Sequence, residues 1–170
     1  MIDIPRIETA RLVLRPPRFD DWPSYAAFMA TPRAAYMGGP FDEAAAWGMF
    51  CHDVAQWQLF GHGSLMIEER GAVGDGRCVG QVGINAGPLF PEQELGWLLY
   101  ASFEGRGYAV EAAAALRDWA FSDLELKTLV SYVHRNNIAS RRLAERLGGV
   151  EDASAARHDP LDIVYRHSRA

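Results

Sequence analysis

Cysteine is scarce: Cys51 and Cys78 are the only two in 170 residues, and no CxxC spacing joins them. That excludes a disulfide framework and a cysteine-rich zinc site, and no metal is expected. Both lie among apolar or small residues, where buried free thiols are expected. No apolar run approaches the roughly 18 residues of a membrane span. The start, MIDIPRIETA, lacks the basic segment and apolar core of a secretory signal. A soluble cytoplasmic protein with no membrane partner is therefore expected. Positive charge is also in deficit, with 17 Lys and Arg against 22 Asp and Glu, a net −5. A nucleic-acid binder usually carries a basic face, so no nucleic-acid partner is expected. The acidic balance suits a cationic or neutral partner such as an amine. No internal repeat or low-complexity linker divides the chain. Its 49% hydrophobic and 23% charged residues are those of an ordinary globular domain, so residues 1–170 are expected to form one domain.

What is present alternates between two periods. Residues 11–15 (RLVLR) alternate polar and apolar, as in a half-buried strand. Asp20 and Asp21 before Trp22-Pro23 read as an acidic helix cap, and Tyr25, Phe28 and Met29 give that helix an apolar face. Gly38-Gly39-Pro40 breaks the chain, and Asp42 can cap a second helix ended by Gly61 and Gly63. There Trp47, Phe50, Cys51 and Val54 fall at i, i+3, i+4 and i+7, predicting the buried stripe. Trp22, Tyr36, Trp47, Trp57 and Trp97 are assigned to the core, with Tyr36 and Phe41, beside the glycine break, as candidates for an acceptor wall. Residues 64–69 and 78–85 read as strands of a hairpin joined by RGAVGDGR. A strand over 94–100, a loop to Gly107 and a helix over 108–122 follow. Ala109, Ala112, Ala113, Leu116 and Ala120 form that helix's small-residue face. A strand over 128–134 is rich in β-branched residues. A helix over 137–147 has Ala139, Leu143 and Leu147 as its stripe and Gly148-Gly149 as its stop. After the loop EDASAARHD, a last strand spans 162–167. This order predicts a single α/β (α+β) domain with a mixed central sheet and flanking helices, strands 94–100 and 128–134 being parallel through a crossover.

The most informative stretch is Phe103-Glu104-Gly105-Arg106-Gly107-Tyr108-Ala109-Val110-Glu111-Ala112. Two glycines between a strand and a helix let the backbone turn and present free N–H groups at the positive end of the helix dipole. That is an anion site suited to phosphate, to which Arg106 adds charge. A P-loop would need Lys followed by Ser or Thr after its second glycine. A dinucleotide fingerprint would need Gly or Ala where Val110 stands. Neither fits, so a nucleotide-dependent enzyme is the weaker reading; a plain tight turn accounts for the two glycines as well.

EGRGYA (104–109) resembles the Gln/Arg-x-x-Gly-x-Gly/Ala pattern of the GNAT acetyltransferases, with Gly107 and Ala109 in its last two slots and Glu104 departing from the first. ETARLVLRP (8–16), Gly80-Gln81-Val82-Gly83, Glu94-Leu95-Gly96-Trp97, Tyr108-Ala109-Val110-Glu111-Ala112, Asn137-Ile138-Ala139-Ser140 and Leu147-Gly148 resemble, in order, the branch that acetylates N-terminal amines, including those of ribosomal proteins. The resemblance spans about residues 8–150. It implies acetyl-CoA as acyl donor, lying between splayed parallel strands, with its pantetheine arm paired to strand 94–100. It implies pyrophosphate on the N–H groups of Arg106, Gly107, Tyr108, Ala109 and Val110, and Asn137 beside the pantetheine. A backbone N–H at Leu98 or Leu99 would face the thioester oxygen. Glu104 is expected to point away from the phosphates or be offset by Arg106.

The implied reaction is direct attack by a neutral amine, either a protein N-terminus or a small amine. An α-amino group has a pKa near 8 and lysine about 10.4, so a general base helps. Glu94, at the start of its strand, is the first candidate, and His134, ending the neighbouring strand, the second. Both also read as ordinary strand-end residues, and proximity alone can carry much of the rate. The tyrosine that many GNAT proteins use toward the departing thiol is replaced by Ala144; Ser140 is the remaining hydroxyl. The alternative is a non-catalytic acyl-CoA-binding or sensing domain. A homodimer is left open.

Overall fold

The structure is a computed structural model and describes residues 2–71 and 76–169. One mixed sheet of eight strands organises them: β1 (Ile7–Glu8), β2 (Leu12–Arg15), β3 (Ser64–Glu69), β4 (Cys78–Asn85), β5 (Glu94–Leu99), β6 (Thr128–His134), β7 (Val150–Glu151) and β8 (Asp162–Ser168). Their spatial order is β1-β2-β3-β4-β5-β6-β8-β7. Every neighbouring pair is antiparallel except β5 and β6. The 64–69 and 78–85 hairpin forms as expected, while 72–75 of its turn lie outside the described residues.

Helices α1 (Trp22–Met29) and α2 (Glu43–Phe60) cover one face, and α3 (Tyr108–Ser122) covers the other. On the first face Tyr25, Phe28, Met29, Ala46 and Phe50 pack with Met66, Leu98 and Tyr100. On the second, Ala112, Ala113, Leu116 and Ala120 lie flat against Leu14, Ile67, Val82 and Leu95. Four near-smooth alanine and leucine positions let α3 approach the sheet closely. Helix α4 (Ile138–Arg146) packs beside β6 and α3. No helix among the described residues is long and apolar enough to cross a membrane.

Several expectations are corrected. The inward stripe of α2 is Ala46, Phe50, Asp53 and Trp57 at i, i+4, i+7 and i+11, whereas Trp47, Cys51 and Val54 are exposed. Apolar residues occur all round α2, so tertiary packing, not spacing, sets its phase. Trp57 fixes it by donating from Nε1 to the Ser64 carbonyl at 2.9 Å. Tyr36 is likewise exposed rather than core, and Cys78 is only half-buried. In α4 Ala139 is exposed, and the stripe runs through Leu143, Ala144 and Leu147.

Asp42 does cap α2, accepting from the Ala45 N–H at 2.8 Å. Asp21 does not cap α1. It sits buried against Arg15, which donates to both its carboxylate oxygens at 2.9 and 2.7 Å and from Nε to Glu68. A buried guanidinium takes the nearest carboxylates because an unpaired buried charge costs far more than an uncapped helix turn. Strands β1 and β7, two residues each, went unpredicted because two residues carry no period.

Candidate active site

Strands β5 and β6 meet only at their beginnings. Glu94 pairs with Val130, and the Val130 N–H donates to the Gln93 carbonyl at 3.0 Å. One further tie follows, the Ser131 hydroxyl donating to the Leu95 carbonyl at 2.7 Å. Beyond it the strands part. The phase of the β4–β5 ladder decides which backbone groups face the gap. Antiparallel residues alternate between paired and outward-turned groups. Tyr100 donates its N–H to the Val79 carbonyl, so Leu98, Gly96 and Glu94 are in phase with it and turn toward β4. Trp97 and Leu99 turn their N–H and C=O into the gap. Of the two N–H groups expected to face an acyl oxygen, that of Leu98 is spent on β4 and that of Leu99 is open.

The gap opens into a cavity of about 620 Å³ that reaches from Asn137 and Ser140 to α2. Glu94 stands at its base. Asn85, opposite it in the β4–β5 register, donates from Nδ2 to a Glu94 carboxylate oxygen at 2.9 Å. Gly96 lies next to this carboxylate: a Cβ there would be 3.5 Å from it, an ordinary contact. Burial pushes Glu94 up to about 7, a rise to which the nearby charges of Asp162 and Asp53 add. A carboxylate poised near neutrality is what a general base requires.

His134 also lines the cavity. Its Nδ1 accepts the Asn136 N–H at 3.1 Å, which in the neutral ring places the proton on Nε2. Its ring lies 5.1 Å from that of Tyr36, whose hydroxyl donates to the Asn136 carbonyl at 3.2 Å. Asn137 caps α4, accepting the Ser140 N–H at 3.2 Å. Ser140 does not bond back to its own helix. Its hydroxyl oxygen accepts from Trp97 Nε1 at 3.3 Å, which leaves its proton free for the cavity. Ala144 is fully buried.

At the other end of the gap Gly107 begins α3 with φ +78 and no side-chain cap. That left-handed backbone favours glycine. The N–H groups of Tyr108, Ala109 and Val110 have no acceptor in their own helix. Glu111 ties this turn to the sheet, accepting from Thr9 Oγ1 at 2.6 Å and from Arg11 N and Nε at 2.9 and 2.7 Å. The Arg106 carbonyl accepts from Arg11 Nη1 at 2.8 Å, and the Arg106 side chain lies 3.8 Å from Glu69. Glu69 is held below its ordinary value, chiefly by the Tyr108 hydroxyl. Glu104 is neutralised by Arg33 at 2.7 Å rather than by Arg106, because Arg33, on the 310 helix Pro32–Met37, also reaches the Leu99 carbonyl at 2.7 Å.

Sequence reasoning overlooked Arg33, Asp53, Asn85 and Asp162. The corrected α2 stripe would have turned Asp53 inward, and pairing the two strand candidates 78–85 and 94–100 would have set Asn85 against Glu94. Nothing in the sequence signals Arg33 or Asp162.

A sheet that splays at a parallel pair, with an uncapped helix start at one end and an acidic cavity at the other, defines an acyl-transfer fold. The acetyltransferase (GNAT) domain model matches residues 11–150, and the chain belongs to that family. The crystal structure of an acetyltransferase from Agrobacterium tumefaciens str. C58 is 56% identical, covers 99% of this chain and 97% of that one, and superposes with a TM-score of 0.94. The putative ribosomal N-acetyltransferase YdaF of Bacillus subtilis (strain 168) is 31% identical over 88 residues, 51% of this chain and 48% of that one, so the match spans about half of that relative. The microcin C7 self-immunity acetyltransferase MccE, solved with acetyl-CoA and AMP, shares the fold at 15% identity and a TM-score of 0.71, over 95% of this chain and 94% of that one.

Proposed function

We propose that the chain transfers an acetyl group from acetyl-CoA to a primary amine by direct attack, with Glu94 as the base. The observation that carries this is the placement of Glu94: a carboxylate raised to about 7 in the cavity lining, at the start of the strand along which β5 and β6 part.

The residues present suit acetyl-CoA. Three unclaimed N–H groups behind Gly107 offer an anion site. The outward-turned backbone of Trp97 offers a pantetheine amide partners it would otherwise lack. The cosubstrate supplies a thioester, an activated acyl group; the rest falls to the chain. Glu94 takes a proton from the incoming ammonium, directly or through one water, so that a neutral nitrogen faces the acyl carbon. The Leu99 N–H faces the acyl oxygen as charge gathers on it. Ser140, its oxygen occupied by Trp97 and its proton free, stands where the thiolate departs, and Asn137 lines the same end. His134 belongs to the wall with Tyr36. Its Nδ1 is already engaged by the Asn136 N–H.

Calorimetry with acetyl-CoA, with ATP and NAD as controls, tests the donor. Micromolar binding of acetyl-CoA alone is expected, lost in Gly107→Glu, whose carboxylate would stand at the phosphate site. A folded wild type that does not bind acetyl-CoA overturns the reading.

A further inference from the structure

The charges around the acceptor half of the cavity are one-sided. Asp53, Glu94 and Asp162 line it, and no Lys or Arg does among the described residues. None of the three pairs with a guanidinium or ammonium group among those residues. Asp53 accepts from the Tyr25 hydroxyl at 3.3 Å and has His52 Nδ1 at 3.5 Å; Glu94 has Asn85. His52, beside Asp53, His134 and His158 are the cavity's only other titratable nitrogens among the described residues, one imidazole in contact with one of three carboxylates. A second observation points the same way. Asn85 spends its amide N–H on Glu94, while its Oδ1 is buried with no donor. Asn85 lines the cavity, and a buried acceptor without a donor calls for one. The remaining wall is apolar: Met37, Met49, Leu89, Phe90 and Pro91.

We propose that the acceptor is a small aliphatic cation with two or more amino groups and no carboxylate, its reacting nitrogen at Glu94 and Asn85 and its second ammonium at Asp53. This rests on the acetyl-transfer reading above. A hydrocarbon chain between two nitrogens matches an apolar wall between two carboxylates. An amino acid would bring its own carboxylate against three others with no guanidinium to receive it, a repulsion that burial strengthens. A peptide N-terminus offers one cation, not two, and leaves Asp53 with only the Tyr25 hydroxyl and His52.

The test uses the full chain with acetyl-CoA and follows thiol release. The acceptors are diaminobutane, butylamine, γ-aminobutyrate and a serine-initiated neutral peptide. Diaminobutane is expected to exceed butylamine in kcat/KM by about tenfold or more, the worth of one well-placed charge contact, and γ-aminobutyrate to be the poorest. In Asp53→Asn the ratio of diaminobutane to butylamine is expected to shrink roughly fivefold or more, through KM rather than kcat. Equal use of diamine and monoamine, or preference for the peptide, overturns the diamine proposal and leaves acetyl transfer standing. The wild-type series alone separates these outcomes, even should the variant fail to fold. Absence of acetyl-CoA binding removes both readings, and calorimetry with acetyl-CoA tells the two failures apart.

Discussion

Ser131 and Leu95 form the last tie between β5 and β6 before the strands part. The Ser131 hydroxyl has one proton, and it goes to the Leu95 carbonyl at 2.7 Å. The contact from the Ser131 oxygen to His167 Nε2 at 2.9 Å must then be donated by His167. That fixes the imidazole as its Nε2–H tautomer and explains why Nδ1 is buried without a partner. One side chain thus stands in for a ladder bond at the apex of the gap. Ser131→Ala would leave a carbonyl and an N–H buried and unpaired, at a cost of about 1–3 kcal/mol. Urea denaturation should show that loss. A change under about 0.5 kcal/mol would mean that the apex is held by the Glu94–Val130 pair alone.

The pH dependence of stability should contain two opposing slopes. Burial lowers His167 to about 4 from an ordinary 6.5. The unfolded chain therefore binds its proton first, and stability is lost as pH falls from 6.5 toward 4. Glu94 is raised to about 7 from 4.5, so the native state holds its proton longer, and stability is lost as pH rises from 4.5 through 7. The two partly cancel in wild type. His167→Gln should unmask the falling Glu94 limb, and Glu94→Gln the rising His167 limb. Melting curves from pH 4 to 8 read this directly. Parallel curves for all three proteins would contradict both assignments.

Arg33 holds the Leu99 carbonyl, one of the groups turned into the gap. Freeing that carbonyl in Arg33→Ala is expected to tighten acetyl-CoA binding by roughly two- to fivefold, under 1 kcal/mol. A loss of affinity beyond tenfold would instead place the guanidinium on the phosphates.

The buried Arg15 with Asp21 and Glu68 is structural. Asp21→Ala strips a buried guanidinium of its bidentate partner and should cost about 3–5 kcal/mol. Acetyl-CoA affinity of the remaining folded protein should hold. An Asp21→Ala variant as stable as wild type would show that Glu68 suffices.

Much of the fold was legible because its elements carry strong periods. The alanine face of α3 made that helix legible from spacing alone, and alternation at 11–15, β-branched residues at 128–134 and the glycine-rich breaks between strands marked the long strands. Legibility ended where several faces were equally apolar. Exposed Trp47, Val54, Leu59 and Phe60 blurred the phase of α2, and the wrong phase hid Asp53. Glu94 was visible as a strand-end acid. Its raised proton affinity was not, because that depends on burial and on Asp162, 68 positions away in sequence (162 − 94). Likewise Arg33 meets Glu104 only once the 310 helix crosses the end of β5.

In the proposed reaction Glu94 removes the proton from the attacking amine, and the pH profile of kcat at saturating acetyl-CoA and amine reads that step. Wild-type kcat should rise with pH and level off above an apparent pKa of about 7. In Glu94→Gln that limb should vanish and kcat drop about 10²- to 10⁴-fold. A Glu94→Gln enzyme that keeps both its rate and the same pH limb would contradict this role and move the base to another group.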